Sequence, residues 1–313
     1  MSQQKIMLLC GGRFAFSVMR DLLFHQQLAV IVIPANCDDM IGQTKVLLES
    51  GGSNVPVEVI TKATMEDSLK KIIKEHEITM GLMATFSYKI PASVYSLTPG
   101  GFFNIHPGPL PGYRGPDPVF WQMRNKEPFA EVCIHKVADD FDNGAVVISE
   151  RIKLLKNDTY GLLITKLSEV AARLVGILLK LAMLDAAIPS RNQDESKAVW
   201  HKKQLAGDII INWDTMDADT IIATINACNP WNKGAATKIN NMVMRLVEAE
   251  KSKETSQAVR PGTIIKVEGK SMSVATINNE VIDIYIIYTD HGFMNGGRLS
   301  PLGIGKGTCF QSL

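Results

Sequence analysis

One short segment of the chain combines an amide, an imidazole and a loop rich in proline and glycine. Asn104 and His106 occupy alternate positions immediately before the loop 107–112. In a strand, alternate side chains point to the same face, so the amide and the imidazole are expected side by side. An amide N–H can stabilise an oxyanion by about 3–4 kcal/mol, and an imidazole can carry protons near neutral pH. This pair therefore indicates acyl transfer.

Acyl transfer of this kind also needs a carboxylate, either to orient the imidazole or to accept a proton from an attacking amine. The acidic turn 139–144, with the sequence Asp-Asp-Phe-Asp-Asn-Gly, offers candidates. Each of these signals also has an ordinary structural explanation when taken alone. Asn and His at a strand end often satisfy loop backbone groups, and acidic turns with Asn-Gly are common in solvated hairpins.

The flanking sequence indicates which elements position these residues. In the first half of the chain, short apolar runs alternate with segments whose apolar residues recur every three or four positions. The predicted strands are 6–10, 28–33, 57–60, 78–84, 102–106, 131–137 and 145–154. Crossover helices between the earlier strands predict an α/β fold with a Rossmann-like, mostly parallel sheet. Because ligands bind beyond the carboxyl ends of such strands, the end of strand 102–106 is a candidate site.

The pattern of apolar and polar residues changes in the second part of the chain. A long amphipathic helix is predicted over 158–184, and a polar linker over 188–204. The linker separates a first domain, 1–187, from a smaller second domain, 205–313. Short apolar runs with turn residues between them predict a β-rich barrel or sandwich for the second domain.

The charge balance, the cysteine spacing and the short apolar start each disfavour a class of function. The 313 residues include 33 Lys plus Arg against 32 Asp plus Glu, a balance that gives no global attraction to nucleic acid. The five cysteines lie far apart, without the spacing of a zinc site or a CxxC pair. The apolar start at 6–10 is too short for a signal segment or a membrane span. We therefore expect a cytoplasmic protein with no metal and no membrane partner.

The motif around Asn104 resembles that of the folate-dependent formyltransferases, most closely the branches that act on methionyl-tRNA and on sugar amines. It comprises Asn-x-His-Pro at 104–107, Leu-Pro-x-Tyr-Arg-Gly at 110–115 and Asp-x-Gly at 142–144. Further similar stretches extend the resemblance over nearly the whole chain, at 10–15, 86–91, 211–213, 226–231 and 260–262. The resemblance implies that Asn104, His106 and Asp142 form the catalytic set, and that the second domain is an open, OB-like barrel.

The same resemblance implies a folate pocket and a mechanism. The expected folate-binding residues are Phe86, Tyr88, Lys89, Ile90, Gly108, Pro109, Leu110, Pro111, Ala138, Asp139, Asp140 and Phe141. An acceptor amine would attack the formyl carbon of 10-formyltetrahydrofolate. Asn104 and His106 would stabilise the oxyanion, while Asp142 polarises His106 or takes the amine proton.

The acceptor is predicted from charge. Members of the family that act on methionyl-tRNA carry a basic insertion after the second strand and a basic C-terminal domain, since Lys and Arg contacts to phosphate supply most nucleic-acid affinity. Here the stretch 34–43 is short and acidic, and 205–313 contains 10 Lys plus Arg against 11 Asp plus Glu. A small-molecule amine, such as an amino sugar or a biosynthetic intermediate, is therefore favoured, with methionyl-tRNA as the alternative.

Other activities compete with transfer. A nicotinamide dehydrogenase is disfavoured because Gly11 and Gly12 are not followed by the spaced glycines that admit a pyrophosphate. Family members that act on glycinamide ribonucleotide share the core motif but lack a C-terminal extension of this kind. Hydrolysis of 10-formyltetrahydrofolate uses the same three residues and stays an alternative, as does folate binding without turnover.

Overall fold

Seven strands form the sheet that carries Asn104 and His106 in the computed structural model of the chain. They are β1 (Ile6–Cys10), β2 (Leu28–Pro34), β3 (Val57–Ile60), β4 (Met80–Ala84), β5 (Phe102–His106), β6 (Phe129–Lys136) and β7 (Val146–Lys153). Their spatial order is β3-β2-β1-β4-β5-β6-β7. The first five strands are parallel, whereas β6 and β7 are antiparallel to their neighbours. This confirms the predicted mostly parallel, Rossmann-like sheet.

The order of the strands reverses between β1 and β4, which lie side by side at the centre of the sheet. All five residues of each of these strands are buried, as expected for central strands covered on both faces. Ligands of such sheets bind beyond the carboxyl ends of the strands near this reversal. The carboxyl end of β5, beside β4, lies close to that point.

The helices are α1 (Phe16–Phe24), α2 (Asp38–Ser50), α3 (Met65–Glu75), α4 (Ala92–Tyr95), α5 (Pro118–Arg124) and α6 (Tyr160–Met183). Helix α3 buries Met65, Leu69, Ile72 and Ile73, one apolar stripe of the spacing that predicts a helix. Helix α2 has two acidic residues, Asp38 and Asp39, in its first turn, where acidic side chains favour a helix start. No helix among the described residues is long and apolar enough to cross a membrane.

The structure describes residues 4–184, 187–257 and 259–313, and these divide into two units. The first unit contains the described residues up to 118, together with 129–153 and 164–202. The second contains 119–128, 154–163 and 203–313. Residues 188–202, which the sequence assigns to a linker, therefore pack within the first unit. The predicted domain limits at 187 and 205 stay a prediction.

The second unit is an antiparallel sheet with one long helix, α7 (Ala218–Ala227). Its strands are β8 (Ala235–Ile239), β9 (Met242–Lys251), β10 (Ile264–Glu268), β11 (Ser271–Ala275), β12 (Val281–Thr289) and β13 (Gly292–Asn295). The order is β10-β11-β12-β9-β8, with β13 paired to β12. The predicted β-rich second domain is confirmed.

Both edge strands of this sheet pair with the C-terminal segment of the chain. Thr263, next to β10, forms an antiparallel bridge with Cys309, and Lys238 of β8 forms one with Gln311. Phe310 lies between these bridges, 1% exposed, with its ring stacked on Trp213 at a centroid distance of 5.3 Å. Residues 309–311 thus join the two edges of the sheet and satisfy backbone groups that an open edge would leave unpaired.

We expect Phe310→Ala to lower the free energy of unfolding of the second unit by about 3–5 kcal/mol, because the change leaves a cavity beside the buried Trp213. Urea unfolding followed by tryptophan fluorescence measures this change. Leu313→Ala is the control, since Leu313 is 49% exposed and its truncation should cost less than about 0.5 kcal/mol. Equal midpoints for the two variants would contradict a structural role for the segment.

Candidate active site

Strand β5 and the loop after β6 bring three polar side chains together. Asn104 Nδ2 lies 3.1 Å from Asp142 Oδ1, and His106 Nδ1 lies 3.5 Å from the same oxygen. The side chains of His106 and Asp142 are 4% and 9% exposed. The structure therefore assembles all three residues of the expected catalytic set into one cluster, here named the polar trio, in which Asn104 is partly exposed.

Asp142 is held in a backbone conformation that few residues other than glycine adopt. Its φ is +53°, in the left-handed region that Asp and Asn tolerate better than most residues. Its Oδ2 accepts a hydrogen bond of 2.9 Å from the backbone N–H of Gly115. Gly115 has a φ of +116°, and a Cβ at this position would lie 2.0 Å from the carbonyl oxygen of His201. Glycine is therefore required at 115 by both conformation and close approach.

The surroundings of Asp142 favour its ionised form. Burial acts to raise the pKa of this carboxyl, but His106, His135 and the Gly115 N–H together outweigh burial and hold the pKa below its ordinary value of 3.8. Burial lowers the pKa of His106 below its ordinary value of 6.5, although Asp142 acts in the opposite direction. At neutral pH the site therefore holds a carboxylate beside a neutral imidazole.

The hydrogen bond at the far side of His106 fixes which ring nitrogen carries the proton. His106 Nε2 lies 2.7 Å from the carbonyl oxygen of Tyr113, which can only accept, so Nε2 carries the hydrogen. In the neutral ring Nδ1 is then unprotonated and faces Asp142. This nitrogen can take a proton from a reacting group, and the carboxylate of Asp142 would stabilise the imidazolium that results.

His135 joins the polar trio, although sequence reasoning did not select it. It lies on β6 directly opposite Asn104 of β5, with 3.1 Å between His135 Nε2 and Asn104 Nδ2. Its Nδ1 donates to the carbonyl of Lys136 at 2.9 Å, and its Nε2 also lies 3.6 Å from Asp142 Oδ1. Both N–H groups of the Asn104 amide are therefore engaged, one by His135 and one by Asp142. Only the register of β5 against β6 reveals this partnership.

A narrow cavity of about 30 Å³ touches the polar trio. Six of the residues expected to bind folate line it, namely Tyr88, Lys89, Ile90, Ala138, Asp140 and Phe141. Lys89 Nζ and Asp140 Oδ1 lie 3.7 Å apart. The volume is close to the share of one water molecule in the liquid, so a larger molecule does not fit unless the residues that line the cavity move apart.

A second cavity, of about 340 Å³, also reaches the polar trio. Asn104 and Asp142 line both cavities, and so does Phe141. Phe86, which the sequence assigns to folate binding, lines this larger cavity, and so does Trp200. The polar trio therefore lies where two cavities meet, an arrangement that can bring a donor and an acceptor of one group into contact.

The remaining residues expected to bind folate are Gly108, Pro109, Leu110, Pro111 and Asp139; as far as the structure describes them, none lines either cavity. Leu110 is buried against Cys133 and Val146. Asp139 Oδ1 accepts a hydrogen bond of 2.9 Å from the hydroxyl of Tyr95. These five residues lie in the loops that follow β5 and β6.

Residues 193–195 hold the loop that carries Asp142. Gln193 Nε2 donates to the carbonyl of Asp142 at 2.7 Å and to that of Gly144 at 2.8 Å. The guanidinium of Arg114, 8% exposed, donates to Gln193 Oε1 at 2.9 Å and forms an ion pair of 2.7 Å with Glu195. Sequence reasoning missed Gln193 and Glu195 because it placed this segment in a linker.

Among residues 4–184, 187–257 and 259–313, no group of three or more His, Cys, Asp or Glu side chains is placed to hold a metal ion.

Comparison of the sequence with known families gives two matches. Residues 5–176 match the family model described as formyl transferase, and residues 206–294 match that of the formyl transferase C-terminal domain. The methionyl-tRNA formyltransferase of Dictyoglomus thermophilum is 28% identical over 290 residues, which cover 88% of this chain and 92% of that protein.

Two solved structures share the fold. HypX from Aquifex aeolicus, in complex with tetrahydrofolic acid, matches 95% of this chain with a TM-score of 0.66 and 16% identity; this chain spans only 47% of HypX. The N-formyltransferase from Helicobacter canadensis, in complex with folinic acid and dTDP-3-aminofucose, has a TM-score of 0.68 and 14% identity. That match covers 90% of this chain and 99% of the other.

Acidification should destabilise the protein through His106. Because the pKa of this buried imidazole is lowered on folding, the unfolded chain binds the proton more readily, and stability falls as the pH drops below about 6.5. We expect the loss of stability between about pH 7 and pH 5 to be smaller in His106→Gln than in the wild type.

Urea unfolding at a series of pH values measures this difference. His25→Gln is the control, since the His25 side chain is 56% exposed. Identical pH dependence in the wild type and His106→Gln would rule out the buried neutral imidazole.

Proposed function

Because the chain belongs to the formyl transferase family, we propose that it moves the formyl group of 10-formyltetrahydrofolate to the amine of a small molecule. The enzyme class follows from the family, whose members transfer formyl groups from formyl-tetrahydrofolate to amines. The observation that carries the assignment of the site is the meeting of two cavities at Asn104 and Asp142.

Proton transfer in this proposal runs through His106. The lone pair of the acceptor amine attacks the formyl carbon, and the amine proton passes to the unprotonated Nδ1 of His106. The carboxylate of Asp142, 3.5 Å from Nδ1, stabilises the imidazolium. Collapse of the tetrahedral intermediate breaks the bond to N10 of the folate, which takes the proton from Nδ1 as it leaves.

In this proposal the Asn104 amide donates a hydrogen bond to the oxyanion. The protonated His106 stabilises it by charge alone, because its two ring N–H groups are directed at Tyr113 and Asp142. Both N–H groups of the Asn104 amide are engaged in the structure, so one of them must change partner. Hydrogen bonds to ionised acceptors are roughly twice as strong as those to neutral acceptors. The N–H directed at His135 is therefore the one released to the oxyanion, while the bond to the ionised Asp142 persists.

The folate side of the proposal rests on the narrow cavity. Tyr88, Ile90 and Phe141 give it apolar walls, which suit a flat ring, and its backbone and carboxylate groups suit ring nitrogens. Because its volume is about 30 Å³, binding of the pterin requires the residues that line it to move apart. Structural neighbours crystallised with tetrahydrofolic acid and with folinic acid support this assignment.

Two observations favour a small-molecule acceptor over methionyl-tRNA. Strand β2 ends at Pro34 and α2 begins at Asp38, so only residues 35–37 connect them and no basic loop lies there. Residues 205–313 contain 10 basic against 11 acidic side chains, which is unfavourable for binding phosphates. The complex of the Helicobacter canadensis neighbour with dTDP-3-aminofucose supports an amino sugar.

Methionyl-tRNA is the second candidate, for a specific reason. The relatives in sequence that match both domains are named methionyl-tRNA formyltransferases. In addition, a cavity of about 850 Å³ in the second unit is lined by Lys233, Arg245 and Trp231, the last 42% exposed. Cations beside an exposed aromatic ring are suited to phosphates and bases.

Release of tetrahydrofolate from 10-formyltetrahydrofolate tests the proposal. It is followed without acceptor, with a library of small amines, and with charged initiator tRNA. Amine-dependent release supports the proposal, and tRNA-dependent release alone favours the second candidate. Release that needs no acceptor indicates a hydrolase, whereas binding of the folate without release indicates a non-catalytic protein.

We expect Asp142→Asn and His106→Ala each to lower kcat by about 10²–10⁴-fold, because either change removes the pair that accepts the amine proton. Asp67→Asn, at an exposed position of α3, is the control for charge removal. Steady-state rates of tetrahydrofolate release measure the effect. Wild-type kcat in Asp142→Asn would exclude this carboxylate from the reaction.

We expect Gln193→Ala to lower kcat by about 10- to 100-fold with little change in the KM for the folate, because small displacements of a reacting group are costly. The reason is that Gln193 bonds the backbone on both sides of the Asp142 turn. Asn192→Ala changes an exposed neighbour and is the control. A change in KM alone, with kcat preserved, would mean that Gln193 does not position Asp142.

A further inference from the structure

The proposed function leaves open which amines the enzyme accepts, and the cavity of about 340 Å³ bears on this question. Resting on that function, we propose that this cavity is the acceptor site. We further propose that Trp200 selects an acceptor whose amine-bearing group is uncharged and has an apolar face. Trp200 thereby becomes a specificity-determining residue outside the motif that carries the polar trio.

The walls of the cavity are apolar over most of their extent. Phe86, Ile105, Pro116 and Phe141 surround the polar trio, and Trp200 completes the lining. Trp200 is 55% exposed, whereas Phe86 is 8% exposed and Ile105 is 1% exposed. An exposed indole at the wall of a cavity offers a large flat surface against which a ring or an apolar side chain can pack.

The backbone on both sides of Trp200 is fixed in place. The N–H of Arg114 donates to the carbonyl of Val199 at 3.0 Å, and the N–H of His201 donates to the carbonyl of Arg114 at 2.8 Å. The His201 ring stacks on Tyr113 with 4.5 Å between centroids and 11° between planes. Because its backbone is already ordered, Trp200 loses little freedom when an acceptor packs against it.

Charge excludes one class of acceptor from the cavity. Among the described residues that line it, none is Lys or Arg, and Asp142 is ionised at neutral pH. A phosphate inside the cavity would lose its bound water and lie near the carboxylate of Asp142. No Lys or Arg of the described lining would compensate for that cost, so binding there is unfavourable. The group next to the amine should therefore be neutral, and any phosphate of the acceptor should lie outside.

Size limits what enters. A volume of about 340 Å³ is at the low end of small-molecule sites, so it takes one ring or one apolar side chain together with the amine. A sugar ring and an apolar aminoacyl group share this chemistry, because each presents a neutral apolar face beside an amine. The two sources are distinguished by separate probes.

The experiment uses two matched pairs of amines with the full chain and 10-formyltetrahydrofolate. L-leucinamide and glycinamide differ in an apolar side chain, whereas glucosamine and glucosamine 6-phosphate differ in a phosphate. We expect the wild type to prefer L-leucinamide or glucosamine over its partner by about tenfold in kcat/KM. Trp200→Ala should remove the preference for L-leucinamide over glycinamide and raise the KM for glucosamine, with the KM for the folate unchanged. The preference for glucosamine over glucosamine 6-phosphate depends on charge and should persist.

Two further variants make the result specific. Trp200→Phe keeps a flat ring and should retain most of the preference. Val199→Ala truncates the adjacent side chain, which is 49% exposed and does not line the described cavity, and it should behave as the wild type. Preferential use of L-leucinamide indicates an aminoacyl acceptor, and preferential use of glucosamine indicates a sugar ring.

Several outcomes would overturn the inference. They are an unchanged acceptor KM in Trp200→Ala, a preference for glucosamine 6-phosphate, equal use of both members of each pair, and transfer to none of the four amines by an enzyme that formylates charged initiator tRNA. Each of these leaves formyl transfer itself intact. Absence of transfer to every acceptor, the tRNA included, would instead reject the proposed function and this inference with it.

Discussion

A buried, ionised carboxylate is the constraint on which the first unit depends. Burial of Asp142 without partners would cost several kcal/mol, so the fold must supply hydrogen-bond donors to its oxygens. Gly115 N–H and the Asn104 amide fill that need at 2.9 Å and 3.1 Å. Their positions in turn fix the end of β5 and the course of the loop that follows it.

The same residue is also held through its backbone. Gln193 donates to the carbonyl of Asp142, and Arg114 donates to Gln193, so the left-handed turn is held through its backbone as well as through its carboxylate. Gly115 contributes in two ways. Its N–H donates to the carboxylate of Asp142, and the absence of a side chain leaves room for the backbone carbonyl of His201. A change at any of these positions is therefore expected to reach Asp142, although none of them is a candidate for proton transfer.

Local signals in the sequence were sufficient for much of the fold. Apolar runs predicted β1 to β7, and the Asn-x-His spacing predicted two members of the polar trio, because strand periodicity and motifs are properties of adjacent residues. His135 was missed because its partnership with Asn104 depends on the register of two strands. Gln193 was missed because a polar side chain that bonds a loop has the same composition as one in a solvated linker. The volumes of the cavities depend on loop packing, which no local pattern encodes.

The segment that follows α6 limits where a fragment of the chain that keeps the site can end. The family match to the first domain ends at residue 176, and helix α6 ends at Met183. Gln193, Glu195 and Trp200 lie beyond both points yet belong to the first unit. A fragment that ended at residue 176 would keep Asn104, His106 and Asp142. It would lose Gln193 and Glu195, which hold the loop of Asp142, and Trp200, which lines the larger cavity. A fragment meant to keep the proposed site intact should therefore extend to at least residue 202, and recombination between relatives should exchange this stretch together with the strands that it supports.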